Sequence, residues 1–190
     1  MLHFFLNQII RKDVDLFIFI NQFHNHFFDV FMTFVSGKYS WTPLYLFILL
    51  VILKKYNIRK GLIIIFAVIL LIVLSDQTSV FLFKFTFLRL RPCFNSRIFD
   101  IIHVVDIPGG KYGFISSHAS NVFALAFFTL SLFKNKIYTI FILFWAVLVA
   151  YSRIYLGVHY PLDVSAGAIW GIFLAYLFLL ILKKRIHKNI

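Results

Sequence analysis

At 190 residues, with 62% apolar side chains and a mean hydropathy of +0.91, the chain is too apolar for a soluble globule, whose apolar share sits near ~45–50%. Its formal charge of +12 would suit a polyanion binder, but the cations sit in short loops between apolar runs, which is the pattern of membrane topology signals rather than a nucleic-acid footprint. We therefore expect an integral membrane protein with no nucleic-acid partner. All seven acidic residues are Asp, and the single Cys93 excludes an internal disulfide.

In chain order, residues 1–12 read as a short amphipathic segment at the membrane surface. Arg11 and Lys12 follow its apolar run instead of preceding it, the reverse of a cleaved signal peptide. Residues 13–36 mix aromatics with Asn21, Gln22, His24, Asn25, His26 and Asp29, so we expect a spanning or half-spanning, re-entrant helix with those groups turned inward or left wet. Five clearer spans follow at 41–53, 61–83, 117–133, 137–151 and 162–182. Pro43 suits the first turn of the first of them. The expected architecture is an all-α membrane bundle of five spans plus a sixth N-terminal spanning or re-entrant helix, forming one domain over 1–190.

Charge sets the expected orientation. Lys54, Lys55, Arg59 and Lys60 flank one turn, Lys134 and Lys136 another, and Lys183, Lys184, Arg185 and Lys188 close the chain. Alternating spans bring all three clusters to one side, which the positive-inside rule makes cytoplasmic. The other side holds 84–117 and 151–162, and it is also basic, with Lys84, Arg89, Arg91, Arg97, Lys111 and Arg153. Cations that work against the topology rule call for a separate purpose.

Three segments on that side carry chemistry. Lys84 and Arg91 are seven residues apart, so a helix continuing to Pro92 would point both the same way, as snorkelling anchors or as an anion clamp. In Ile115-Ser116-Ser117-His118 a serine is a plausible N-cap, the free N–H groups of the helix start suit an anion, and His118 is placed to donate a proton. In Ser152-Arg153-x5-His159-x3-Asp163, a helix running through Pro161 would set His159 and Asp163 on one face, a carboxylate fixing the tautomer of a nucleophilic imidazole. Singly, each also reads as a helix cap or boundary anchor. Together they suit a tetrahedral oxyanion, with one His attacking phosphorus and the other protonating the leaving group.

The ordered set Lys84-x6-Arg91-Pro92, Ser116-Ser117-His118 and Ser152-Arg153-x5-His159-x3-Asp163 resembles the three-part signature of the type 2 phosphatidic acid phosphatase family, whose core is shared with vanadium-dependent haloperoxidases. The resemblance covers 84–163, with membrane spans around it. It implies a phosphohistidine mechanism: His159 as nucleophile, Asp163 orienting it, His118 as acid, and Lys84, Arg91, Arg153, Ser116 and Ser117 holding the phosphoryl oxygens. The family's second motif commonly reads Pro-Ser-Gly-His. If the glycine position needs φ above zero, Ser117 would cost about 1 kcal/mol or more there, so Ser116 is the safer phosphate contact.

Asp76 interrupts the second clear span beside Ser75, Gln77, Thr78 and Ser79. It reads either as part of a polar floor under a headgroup or partner of a basic site residue, or as a helix–helix hydrogen-bond node. Gly109-Gly110-Lys111-Tyr112-Gly113 lacks P-loop spacing and reads as a flexible loop, with Lys111 near a headgroup. His24 and His26 read as interfacial residues. Scattered single Asp residues give no oxygen-rich metal cluster, so we expect neither metal nor other cofactor. The expected function is a lipid phosphatase of the bacterial inner membrane, acting on its non-cytoplasmic side on a polyprenyl diphosphate, lipid A phosphate, phosphatidylglycerol phosphate or phosphatidic acid. The rivals are a small-anion channel with Lys84, Arg91 and Arg153 as a selectivity ring, and an inactive lipid-binding scaffold.

Overall fold

The computed structural model describes residues 2–187, which form helices with no strand among the described residues. The helices are α1 (Leu2–Asn21), α2 (His26–Ser36), α3 (Thr42–Lys55), α4 (Ile58–Phe87), α5 (Ser117–Phe133), α6 (Lys136–Tyr155) and α7 (Pro161–His187). Their starts follow from local chemistry. Asn25, Asn57 and Asn135 each accept a hydrogen bond from a first-turn amide, at Phe28, Lys60 and Tyr138. Pro43 and Pro161 sit where a missing N–H costs nothing.

Three helices, α4, α6 and α7, are long and apolar enough to cross a membrane. Helices α3 and α5, with 14 and 17 residues, are shorter than the roughly 20 residues of a straight span. Large apolar side chains such as Phe66, Phe81, Ile140, Phe144 and Ile169 lie exposed, which is affordable only against lipid.

Residues 13–36, expected to form a spanning or half-spanning, re-entrant helix, are divided between the end of α1 and the whole of α2. The chain breaks at Gln22–Asn25, where Asn21 turns its side chain to other partners: its Nδ2 donates to His103 O and Tyr155 O at 2.9 and 3.0 Å, and its Oδ1 accepts from His103 N. These side-chain bonds fix the end of α1 against two backbone segments far away in sequence.

Helix α5 is the centre of the bundle, packed against α4, α6 and above all α7. Phe128, Trp145, Ile142, Ile64 and Leu71 fill the space between. The α5–α7 contact is close because α7 presents Gly167 and Gly171: a Cβ on them would meet Ser116 O at 2.4 Å and Ser120 O at 2.1 Å. This small-xxx-small spacing lets two backbones approach in lipid, and it fixes the start of α5 against α7.

At one end Lys55 Nζ donates to Leu132 O and Phe133 O at 2.8 and 3.1 Å, so the α3–α4 and α5–α6 turns share that end, as their charges suggested. The chemistry-bearing segments gather at the opposite end. Lys188 of the C-terminal basic cluster lies outside the described residues.

We predict that Gly171→Val, which forces a branched side chain into Ser120, lowers the stability of the detergent-solubilised protein by about 1–3 kcal/mol. An unshifted thermal unfolding midpoint would show that α5 and α7 do not depend on this contact.

Candidate active site

Helix α4 does not run on to Pro92. It ends at Phe87, Leu88 adopts the left-handed conformation (φ 49°), and Arg91 is extended. Lys84 and Arg91 therefore do not share a helix face, although both reach the same place. Lys84 closes the π-wound stretch Ser79–Lys84, a winding that rotates side chains away from α-helical phase. Its Nζ donates to Ser117 Oγ at 2.8 Å, and Ser79 also hydrogen-bonds that hydroxyl.

The loop Gly109–Gly113 is pinned rather than loose. Arg91 N donates to Lys111 O at 2.9 Å, Gly113 N to Arg89 O at 2.8 Å, and Arg91 Nε to Gly110 O at 2.8 Å. Lys111 itself is exposed. The tether leaves Arg91 buried with Nη1 directed at His159 Nε2, 2.7 Å away.

His159 is not on a helix. Helix α6 ends at Tyr155, and Gly157 takes the positive φ (79°) that lets the chain fold back. The amides of Val158 and His159 then both donate to Arg153 O, so the helix end that carries Arg153 also carries the imidazole. Asp163 lies in the first turn of α7, with Oδ2 3.5 Å from His159 Nδ1 and 3.0 Å from the Tyr160 amide. The pair expected on one helix face is in fact brought together across a helix break.

This geometry decides the tautomer. A guanidinium has no acceptor, so at 2.7 Å His159 Nε2 accepts from Arg91 and carries no proton. The proton is on Nδ1, facing Asp163. His159 is buried, and burial first, then the charges of Arg91, Arg153 and Lys84, hold its pKa well below the ordinary histidine value. The ring is a neutral base with its lone pair turned toward cations.

Arg153, in the last turn of α6, hydrogen-bonds Ser36 Oγ of α2 and lies 3.8 Å from Asp106, while its buried Nε has no partner. Ser116 is the N-cap of α5 and accepts from Ala119 N at 3.4 Å. The hydroxyl expected to be the safer contact is thus turned to its own helix, and that of Ser117 is the one beside Lys84. Ser117 needs no positive φ, so the missing glycine of the second motif costs no backbone strain here. His118 follows in the first turn of α5, within Coulombic reach of Arg153, His159 and Arg91.

His118 also lines a cavity of about 660 Å³ between α3, α4, α5 and α6, walled by aliphatic side chains such as Ile48, Ile52, Ile65 and Val68. Asp76, Gln77 and Asn121 line it too. Asp76 accepts from Asn121 Nδ2 at 3.5 Å, and below it Ser75 and Ser120 hydrogen-bond at 2.6 Å, so the α4–α5 node expected as one reading of this stretch exists. His24 stacks on His103 at 3.8 Å, away from these groups. Among the described residues no three His, Cys, Asp or Glu side chains converge as a metal site would require.

Two residues, Arg89 and Asp13, were given no place in the site by the sequence reading, which counted Arg89 only among the cations of that side. Arg89 Nη1 donates to Asp163 Oδ1 at 2.7 Å, and its Nη2 to Asp13 Oδ2 at 2.6 Å, with the guanidinium 4.2 Å from the Tyr160 ring centroid. Asp13 Oδ1 also accepts from Leu162 N at 2.8 Å. The buried carboxylate behind His159 is thereby neutralised and fixed from helix α1. The one available signal was that Arg89 precedes Arg91 by two residues and that an Asp in a membrane chain must find a partner.

A buried, neutral imidazole with its unprotonated nitrogen toward a cluster of cations thus lies at one end of a membrane helix bundle. Residues 60–187 match the PAP2 superfamily, and the chain belongs to it. A lipid A 4'-phosphatase of Bacteroides thetaiotaomicron is 40% identical, aligned over 95% of this chain and 80% of that protein. A lipid A 4'-phosphatase of Porphyromonas gingivalis is 35% identical over 90% and 73%. An undecaprenyl-diphosphatase of Sulfolobus acidocaldarius is 33% identical over 90% and 78%. The crystal structure of Aquifex aeolicus LpxE superposes with a TM-score of 0.63 at 28% identity, covering 87% of this chain and 93% of that one. The fold is also that of a PAP2 type phosphatidylglycerolphosphate phosphatase from Bacillus subtilis, with a TM-score of 0.73 at 22% identity over 94% and 88% of the two chains.

Histidine-selective ¹⁵N NMR should find His159 neutral and protonated on Nδ1 at pH 6.5. Because its pKa is depressed, the imidazolium signal should appear only as pH falls well below that value; an imidazolium at pH 6.5 would contradict the assigned tautomer. In a phosphate-release assay Arg89→Ala should lower kcat by roughly 10–100-fold with little change in KM, the scale seen for partners that orient a reacting group. Arg89→Lys should restore part of it.

Proposed function

We propose that this protein is a membrane lipid phosphatase that removes a terminal phosphate or diphosphate from a lipid through a phosphohistidine on His159, without a metal. The observation that carries the reading is the bare Nε2 of His159, held 2.7 Å from Arg91 with Asp163 behind the opposite ring nitrogen. An arginine on an uncharged imidazole lone pair marks where an oxyanion and its phosphorus would enter.

In the first step Arg91 turns from Nε2 to a phosphoryl oxygen, the freed Nε2 lone pair attacks phosphorus, the P–O bond to the lipid breaks, and His118 supplies the proton to the departing oxygen. Asp163 stabilises the positive charge left on the imidazole, as a buried orienting carboxylate does. Arg91, Lys84, Arg153 and Ser117, with the free amides at the start of α5, hold the phosphoryl oxygens; the cap residue Ser116 contributes by holding that start in place. In the second step water attacks phosphorus, the P–N bond breaks, and His118 takes the proton from water. Phosphate leaves and His159 is regenerated.

The cavity beside His118 is wide and aliphatic enough for an acyl or prenyl chain, which suits a substrate arriving within the leaflet. Relatives named as lipid A 4'-phosphatases and an undecaprenyl-diphosphatase support a lipid phosphate substrate. In this reading α3 to α7 make five crossings of the bacterial inner membrane, with the site on the non-cytoplasmic side. Helices α1 and α2 cover that end, since Asp13, Asn21, Asn25, Asp29 and Ser36 all contact residues from 89 to 162 there. The oriented imidazole argues against an anion channel, which has no use for one.

His159→Ala should abolish phosphate release from a panel of lipid phosphates in mixed micelles, and Arg153→Ala should lower it by about 10²–10³-fold. Unchanged turnover in His159→Ala would remove the phosphohistidine step. Activity should survive EDTA; loss restored only by added Mg²⁺ would refute metal independence.

A further inference from the structure

After hydrolysis the proposed site holds inorganic phosphate among Lys84, Arg91 and Arg153. Three cations that grip an anion must also let it go, and in many enzymes product release limits turnover. One carboxylate stands where it can assist. Asp106 Oδ2 is 3.8 Å from Arg153 Nη2, and among the described residues no other Asp comes within salt-bridge distance of these three cations. Asp106 is within Coulombic reach of Arg91 as well.

Two carboxylates at this end are placed for different tasks. Asp163 is buried and held by Arg89 and the Tyr160 amide, so it is fixed. Asp106 is 47% exposed and faces Arg153 at a separation too long for a hydrogen bond, so charge alone holds it there. The backbone that carries it is pinned on both sides. Val105 N donates to Leu156 O at 3.3 Å, and Arg91 holds Gly110 O and Lys111 O. Between these pins residues 106–109 make no backbone hydrogen bond, and a Cβ on Gly109 would meet nothing within 4 Å. The carboxylate can leave Arg153 without breaking a backbone hydrogen bond, and the pins bring it back to the same place.

We propose that Asp106 is a placeholder anion: it neutralises Arg153 between turnovers, yields that charge to the phosphoryl group of the substrate, and takes it back as inorganic phosphate departs. This rests on the phosphatase reading and adds to it a positioning residue that sets how tightly the site holds phosphate. No covalent bond changes; one anion replaces another at Arg153. The guanidinium side chain is only 6% exposed, where a cation without a counter-charge is costly, so Asp106 stabilises the site before substrate arrives. A phosphate dianion on Arg153 would face the same carboxylate at ionic distance, and the repulsion loosens it. A carboxylate that merely oriented Arg153 would do the reverse, because its loss would weaken phosphate binding.

The sign of one substitution separates the two roles. Binding of inorganic phosphate to the detergent-solubilised protein is measured by isothermal titration calorimetry. Asp106→Asn keeps the shape and removes the charge; it should bind phosphate roughly 2–5-fold more tightly than wild type, the scale of one partly exposed ion pair, and KM for a lipid phosphate should fall with it. Asp106→Glu should stay near wild type. In an Arg153→Ala background Asp106→Asn should have little effect, since the pair is already gone. Asp100, an exposed carboxylate nearby in the chain, controls for net charge through Asp100→Asn. Unchanged or weaker phosphate binding in Asp106→Asn overturns the proposal, as does an equal gain in Asp100→Asn. Equal phosphate affinity of wild type and Arg153→Ala removes Arg153 from the oxyanion site and sinks that reading together with the placeholder. Binding that Arg153→Ala weakens and Asp106→Asn leaves unmoved sinks the placeholder alone.

Discussion

The contact between Arg91 and His159 is the constraint around which the site end is built. A permanently charged guanidinium can approach an imidazole only if the imidazole is neutral and accepts. That fixes the proton on Nδ1, which in turn calls for a carboxylate on the far side of the ring. Asp163 lies on that side, its Oδ2 3.5 Å from an Nδ1 that makes no hydrogen bond, and a buried carboxylate is itself expensive. Arg89 and the Tyr160 amide satisfy it, and Arg89 in turn is balanced by Asp13. The chain of partners runs from the bare nitrogen out to helix α1, each link answering the electrostatic cost of the one before.

Helix ends, more than helix faces, deliver the proposed reacting groups. Arg153 lies in the last turn of α6, His118 in the first turn of α5 and Asp163 in the first turn of α7, while Arg91 and His159 lie just beyond helix termini. Termini carry the unpaired N–H and C=O groups of each helix, and polar backbone can be exposed only where the bundle meets water or encloses a cavity. The proposed catalytic groups and unsatisfied backbone are therefore driven to the same end for one reason. The close α5–α7 contact through Gly167 and Gly171 then sets the spacing between the His118 and Asp163 helices.

The apolar cavity explains how such a site serves a lipid. It is lined by His118 and by aliphatic side chains of α3 and α4, so in the proposed reading hydrocarbon stays in an apolar setting while its phosphate meets the cations. Its polar lining groups, Asp76 and Asn121, join α4 to α5.

The all-helical membrane character and the chemistry-bearing segments were legible in the sequence, because polar residues stand out in so apolar a chain and carry few roles there. Lys84, Arg91, His118, Arg153, His159 and Asp163 were singled out by type and order, and the fold gathers them at one end of the bundle. Helical phase failed as a guide to how they meet: Leu88 turns the chain before Arg91, and Gly157 turns it before His159, so pairs assigned to shared faces converge across breaks instead. The N-terminal 13–36 break and the Arg89–Asp13 pairing could not be read either, since each depends on partners more than seventy residues away. Residue identity fixes which charges must be neutralised in a low-dielectric bundle; only the packed structure decides which group neutralises which, because that choice is made by distance.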